Sequence, residues 1–212
     1  MKDIFVTGTD TDIGKTVLSA LLTTALGGIY WKPIQTGAMG GKARTDRQAV
    51  LEWAELSQDR ALPENYVFDP PVSPHLAASW AGTSIDLASI QKPRGENGKR
   101  LVIEGAGGVL VPINKKAVMR DLIAHLDATA VIATRTTLGT INHTLLTVEA
   151  LREAGCRTLG VVMIGEENID NRQAIEHFGD VPVVGWIPPL ANIDRAGLLR
   201  VFETHFDRQR FS

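Results

Sequence analysis

Hydrophobic positions in this chain fall into short dense runs, separated by stretches with helical spacing. Apolar runs stand at Ile4-Phe5-Val6 and at residues 29–33, 100–104, 128–134, 158–164 and 181–187. Short runs with few polar interruptions are the pattern of strands buried on both faces. Between them, residues 17–22, 46–56, 118–126, 140–154, 171–178 and 195–206 read as helices. In 46–56, for instance, Ala49, Val50, Trp53, Ala54 and Leu56 fall near one face. Gly155 stops the helix predicted over 140–154. The proline-rich stretch 63–74 reads as irregular, 76–80 and 85–90 as short helices, and 91–99 as a polar, flexible tip. Alternating strands and helices predict an α/β fold of three layers, a mostly parallel sheet with helices on both faces. Without a repeat or a linker, residues 1–212 read as a single domain. In such a fold, active residues gather beyond the carboxyl ends of the strands.

The first strand-to-helix junction carries the strongest chemical signal, Gly8-Thr9-Asp10-Thr11-Asp12-Ile13-Gly14-Lys15-Thr16. Gly-Lys-Thr at a helix N-terminus offers free backbone N–H groups, a lysine charge and a hydroxyl, which suit phosphate oxygens and magnesium. The usual spacing places a glycine where this chain has Thr9; its first glycine, Gly8, is one residue further out. The plainer reading is a glycine-rich turn, but Gly-Lys-Thr in this context points to a nucleoside triphosphate. Lys32 closes the second predicted strand, Glu104 closes the third, and Asp46 opens a helix after the glycine-rich loop 37–41. Thr16, Asp46 and Glu104 form a candidate set of hard oxygen ligands for magnesium. Each has a simpler alternative: Glu104 as a solvated strand-end carboxylate, Asp46 as a helix N-cap, and Lys32 as a surface lysine. Thr36 and Gly37 stand near the same cleft. Thr140 caps the helix that follows Leu138-Gly139, and that helix start is either ordinary capping or a second anion site. His75, His125, His177 and His205 suggest no chemistry, and Cys156 reads as structural.

Composition narrows the field by exclusion. A net charge of -2 gives no electrostatic case for nucleic acid or an anionic membrane. One cysteine forms no internal disulfide and is too few for a thiolate zinc site. No apolar run is long enough for a membrane span and the N-terminus has no leader pattern, so a cytoplasmic location is expected.

Taken together, these blocks resemble the dethiobiotin synthetase family. The resemblance rests on residues 6–16, on Tyr30-Trp31-Lys32-Pro33 with Thr36-Gly37, and on Ser73-Pro74-His75. It continues through Glu104-Gly105-Ala106-Gly107-Gly108, Leu138-Gly139-Thr140-Ile141-Asn142-His143 and Gly185-Trp186-Ile187-Pro188. The blocks are in family order, and the extra residue in the phosphate loop is a family feature. The resemblance implies an ATP- and Mg2+-dependent ligase. It would join carbon dioxide to 7,8-diaminopelargonic acid through a carbamate and a carbamic-phosphoric anhydride, closing a cyclic urea. It implies Lys32, Lys15 and Thr11 as catalytic residues, and Thr36, Thr11, Leu138, Gly139 and Asn142 as substrate contacts. The 138–142 segment would come from the partner subunit of a homodimer. It also implies nucleotide contacts from Asp12, Ile13, Gly14, Lys15, Thr16, Val17, Asp46, Glu104, Gly105, Ala106, Gly107, Pro188, Pro189 and Leu190, with magnesium on Thr16, Asp46 and Glu104. Family members that favour ATP commonly carry an adenine-reading asparagine just past the strand at 158–164. This chain has Ile164-Gly165 there, with Asn168 nearby, so the base preference stays open between ATP and other nucleoside triphosphates. Two other classes share the loop. Partitioning and septum-positioning switch ATPases carry an extra early lysine, absent at Thr9 and Asp10. The synthetase domain of a corrinoid amidotransferase would bring a glutaminase domain, for which 212 residues leave no room.

Overall fold

Six parallel strands form the spine of the molecule, and their order explains where the site lies. The computed structural model describes residues 2–38, 44–93 and 98–212. Parts of the glycine-rich loop (39–41) and of the polar tip (94–97) lie outside the described residues. The chain runs β1 (Ile4–Gly8), α1 (Lys15–Ala25), β2 (Ile29–Trp31), β3 (Ile34–Thr36), α2 (Asp46–Trp53), β4 (Tyr66–Phe68) and α3 (Pro74–Trp80). It continues β5 (Leu101–Gly108), α4 (Met119–His125), β6 (Thr129–Arg135), α5 (Thr140–Glu153), β7 (Thr158–Ile164), α6 (Ile169–Gly179), β8 (Val183–Ile187) and α7 (Arg195–His205). The main sheet has the order β2-β5-β1-β6-β7-β8. From β1 the chain turns one way to β2 and β5, then crosses to β6 on the other side. That reversal leaves a crevice at the carboxyl end of β1, where α/β folds bind ligands.

Strand alternation divides the core into two layers. On one face, Val6, Tyr30, Val102 and Val131 pack with Leu18, Leu21 and Leu22 of α1, Val50 of α2 and Leu198 of α7. On the other, Phe5, Ile103 and Ile132 pack with Ala77 of α3, Met119 and Leu122 of α4, Leu151 of α5 and Ile175 of α6. Helices on both faces match the expected three-layer fold.

Several local expectations change. The predicted strand at 29–33 ends at Trp31; Pro33 breaks it, and β3 joins a separate two-stranded sheet with β4. β4 itself lies inside the stretch read as irregular. The segment 85–90 forms only a 3-10 turn, Leu87–Ser89. β5 runs on through Gly108, so Glu104 is its fourth residue rather than its last. Glycine-rich 105–108 lies beyond the strand predicted over 100–104, yet it continues β5, and Gly105 packs so close to the Phe5 ring that an added Cβ would stand 2.8 Å from it.

The chain end is tied down by aromatic packing. Phe202, Phe206 and Phe211 form a ring cluster on the α1 face, and the Arg100 guanidinium donates to the Phe211 carbonyl at 2.6 Å. A Cβ added at Gly185 would meet the Phe206 ring at 2.6 Å. Gly185→Ala is therefore expected to destabilise by about 1–3 kcal/mol, the scale of overpacking. That corresponds to a Tm drop of roughly 2–4 °C per kcal/mol at this size. A Tm within a degree of wild type in a thermal melt would show that the ring moves aside freely.

Candidate active site

The phosphate loop leaves β1 and is held from the β6 side. The Thr9 amide donates to the Ala133 carbonyl at 3.1 Å, and Arg135 donates to the Thr11 carbonyl at 3.1 Å. Gly14 is left-handed (φ 95°) and occupies the N-cap of α1 with no side-chain cap. The first-turn N–H groups of α1 therefore meet no capping side chain, the arrangement that binds anions. Lys15 is buried and folds back along the loop, its Nζ donating to the Asp10 carbonyl at 2.7 Å.

Next to the loop, four of the predicted residues meet. Lys32 Nζ lies 2.7 Å from Asp46 Oδ2 and 2.9 Å from Glu104 Oε1. The Thr16 hydroxyl lies 3.3 Å from Asp46 Oδ1 and 3.0 Å from Glu104 Oε1. Their positions follow from the strands. Lys32 directly follows β2, whose Trp31 pairs with Ile103 of β5, one residue before Glu104. Thr16 is in the first turn of α1 and Asp46 in that of α2. The alternative of Asp46 as N-cap is ruled out, because Thr45 takes that place in a capping box with Gln48. Asp46 is thereby left to face the cluster, and its backbone N–H donates to Gln35 Oε1 at 3.4 Å. Nor is Glu104 a solvated strand end or Lys32 a surface lysine, since they are only 1% and 5% exposed.

The two lysines differ electrostatically. Burial pulls Lys15 down from 10.5 to about 8; Glu104 opposes this and nearby Lys32 adds to it. Burial also pulls on Lys32, but Glu104 and Asp46 outweigh it and hold its ammonium well above the ordinary lysine value. Asp46, Glu104 and Thr16 present hard oxygens within one small volume, and this donor set fits Mg2+, which is usually held by one or two carboxylates together with substrate phosphates.

A cavity of about 790 Å³ opens over this cluster. Thr11, Asp12, Gly14, Lys15, Thr16, Val17, Lys32, Thr36, Asp46, Glu104, Ala106 and Gly107 line it. Ile13 and Gly105 do not; their positions are taken up in core packing, Ile13 beneath Gly8 and Gly105 against Phe5. Pro188, Pro189 and Leu190 follow β8 outside the cavity lining. Leu138, Gly139 and Asn142 are also outside it, exposed at the start of α5. Thr140 does not cap that helix. Gly139 stands at the N-cap, and the Thr140 hydroxyl donates to the Arg135 carbonyl at 2.5 Å while meeting Thr134 at 2.8 Å. Asn168 caps α6 by accepting from the Asn171 amide. Sequence reasoning missed Arg44, Glu52 and Trp53 on the cavity wall, although 49, 52 and 53 share the α2 face that meets it. It also gave no role to Tyr30, whose hydroxyl donates to Glu104 Oε2 at 3.0 Å.

The low value at Lys15 has a pH consequence. Below about 8 the ammonium is charged and attracts phosphate; above it the charge is lost. Nucleotide affinity is thus expected to fall as pH rises through about 8, by up to tenfold per unit. The sign for the free fold is opposite. Between about 8 and 10.5 the unfolded chain binds more protons, so Lys15 makes stability rise with pH there. Calorimetric titration with ADP from pH 7 to 9.5 measures the first effect. Lys15→Ala should lower the affinity and flatten the profile, and unchanged affinity in that variant would remove Lys15 from phosphate binding.

A family model described as an AAA domain matches residues 2–196. The ATP-dependent dethiobiotin synthetase BioD of Rhodopseudomonas palustris (strain HaA2) is 46% identical over 210 residues, covering 99% of this chain and 96% of the relative. The protein of the same description from Paramagnetospirillum magneticum is 49% identical over 196 residues, 92% of each chain. Among solved structures, apo McdA from Cyanthece superposes with a TM-score of 0.57 at 13% identity, covering 94% of this chain and 90% of that one. The cell division ATPase MinD of Pyrococcus furiosus gives 0.51 at 18% identity, covering 94% and 88%. These two show the fold alone. With near full-length identity of this order, the chain belongs to the dethiobiotin synthetase family.

Proposed function

We propose that this protein is an ATP-dependent ligase that carboxylates 7,8-diaminopelargonic acid with carbon dioxide and closes the ureido ring of dethiobiotin, releasing ADP and phosphate. The observation that carries this reading is the gathering of two lysines, two carboxylates and a threonine hydroxyl around one cavity. One amine of the substrate adds to carbon dioxide and loses a proton, giving a carbamate anion. A carbamate oxygen attacks the γ-phosphorus, and the bond to the ADP oxygen breaks. The second amine then attacks the carbamoyl carbon, and phosphate leaves as the ring closes.

The chain's own residues meet the demands of that sequence. Carbamate and triphosphate repel each other, and two ammonium groups within one cavity offset the charge. Lys15, at the helix start, serves the phosphates; Lys32, paired with Asp46 and Glu104, serves the carbamate and the transferred phosphoryl group. Thr11 and Thr36 on the cavity wall orient the diamine, and holding both reactants in line supplies much of the rate. Thr16, Asp46 and Glu104 would hold Mg2+, which when bound neutralises phosphate charge. Glu104 is already engaged at both oxygens, so it acts as an anchor rather than as a general base. Leu138, Gly139 and Asn142, exposed and outside the cavity lining, are read as the contribution to a partner subunit's substrate site in a homodimer. Pro188, Pro189 and Leu190 are read as passing the nucleotide base.

Lys32→Ala is expected to lower turnover about 10²–10³-fold, the scale for losing one electrostatic stabiliser. The assay is phosphate release with ATP, Mg2+, bicarbonate and the diamine. Near-normal turnover at saturating substrate would end the assignment of Lys32. Phosphate release that ignores the diamine would replace the ligase by a switch ATPase.

The nucleotide base forms a second test. Ile164 packs its side chain against Gly14, where an added Cβ would stand 2.9 Å from it. An apolar residue at that position offers no hydrogen bond to a base edge. Discrimination among ATP, CTP and GTP is therefore expected to stay below about 200-fold, the range of apolar recognition. A preference for ATP of about 10⁴ or more in competition assays would require a base-reading group elsewhere.

A further inference from the structure

We propose that Tyr30 is a positioning residue for the magnesium site, its hydroxyl pinning one oxygen of Glu104 so that the other faces Thr16 and Lys32. The inference rests on the reading of Glu104 as part of that site and adds a residue to it.

The strand register makes the contact possible. Tyr30 pairs with Val102, two positions before Glu104 on the same face of β5. Lys32 is likewise two positions beyond Tyr30, so this stretch of chain presents both a phenol and an ammonium to one carboxylate. Tyr30 OH reaches Glu104 Oε2 at 3.0 Å, while Oε1 receives Lys32 at 2.9 Å and Thr16 at 3.0 Å. Tyr30 is fully buried, and its ring packs in the α1-face core with Val102 and Val50. Its own carbonyl accepts from the Leu62 amide at 2.8 Å, which fixes the backbone from the other side. In this contact the phenol O–H is the donor and the carboxylate oxygen the acceptor. Rotation of the Glu104 carboxylate would strand this buried donor. The carboxylate is consequently held in one orientation before any ligand arrives, as expected of groups that orient metal ligands from behind.

A purely structural tyrosine would contribute stability only, and the test separates the two roles. Affinity for a non-hydrolysable ATP analogue is measured by calorimetry across a series of Mg2+ concentrations. Tyr30→Phe keeps the ring and its packing. It is expected to raise the Mg2+ concentration for half-maximal effect by about tenfold or more, the usual scale for losing such a partner, while leaving metal-free affinity in place. Glu104→Gln should lose the Mg2+ dependence, and adding Tyr30→Phe to it should change nothing further. Val102→Ala serves as a control for lost stability in the same core. If Glu104→Gln keeps the wild-type Mg2+ dependence, the reading of the metal site fails and this inference with it. If Glu104→Gln loses that dependence while Tyr30→Phe behaves as wild type, only the role of Tyr30 is overturned. That role is equally overturned if Val102→Ala shifts the Mg2+ requirement as far at an equal loss of Tm.

Discussion

The site depends on one buried ammonium. Lys32 is almost fully withdrawn from water, and burial alone would favour its neutral form. It keeps its charge because Asp46 and Glu104 stand within 2.7 and 2.9 Å. Those three residues come from the end of β2, the first turn of α2 and the middle of β5, so the ion cluster holds three separate elements in register. Breaking such a buried group by removing one member leaves an uncompensated charge and typically costs about 3–5 kcal/mol. The geometry is thus demanding, and the surrounding structure is arranged to meet it. The capping box of Thr45 and Gln48 sets where α2 starts, and Gln35 receives the Asp46 amide.

The same cluster explains why one cavity holds two unlike lysines. Lys15 is bonded to a carbonyl, and burial is the largest influence on it, so its charge is loosely held. Lys32 stands between two anions, which hold its ammonium above the ordinary lysine value against the pull of burial. Lys15 thus stands at the start of α1 bonded to the loop backbone, while Lys32 stands between the carboxylates of Asp46 and Glu104.

Much of this is readable along the chain. The short apolar runs locate every strand of the main sheet, and the position of Gly-Lys-Thr between a strand and a helix marks the phosphate loop. Lys32, Asp46 and Glu104 stand out as charged residues following or interrupting apolar segments. Finer detail is less legible. Asp46 reads in sequence either as a metal ligand or as a helix cap, and only the Thr45–Gln48 bonds show that the cap lies one residue earlier. Glu104 reads as a strand end because glycines follow it, yet those glycines continue the strand where Phe5 and the phosphate loop leave no room for side chains. Tyr30 gives no signal, since a tyrosine in an apolar run reads as core until its hydroxyl is seen to reach an acid.

Sequence alone determined the layer architecture and the phosphate loop, because hydrophobic period and glycine position act over a few neighbouring residues. It also supplied the family resemblance, since ordered blocks across the whole chain are themselves a sequence property. Only the tertiary structure decided which oxygens face which donors. Thr16 and Glu104 are 88 residues apart and Tyr30 and Glu104 are 74 apart, so their contacts exist only through strand order and register. The burial that separates the two lysines is likewise a product of packing, and no spacing along the chain records it.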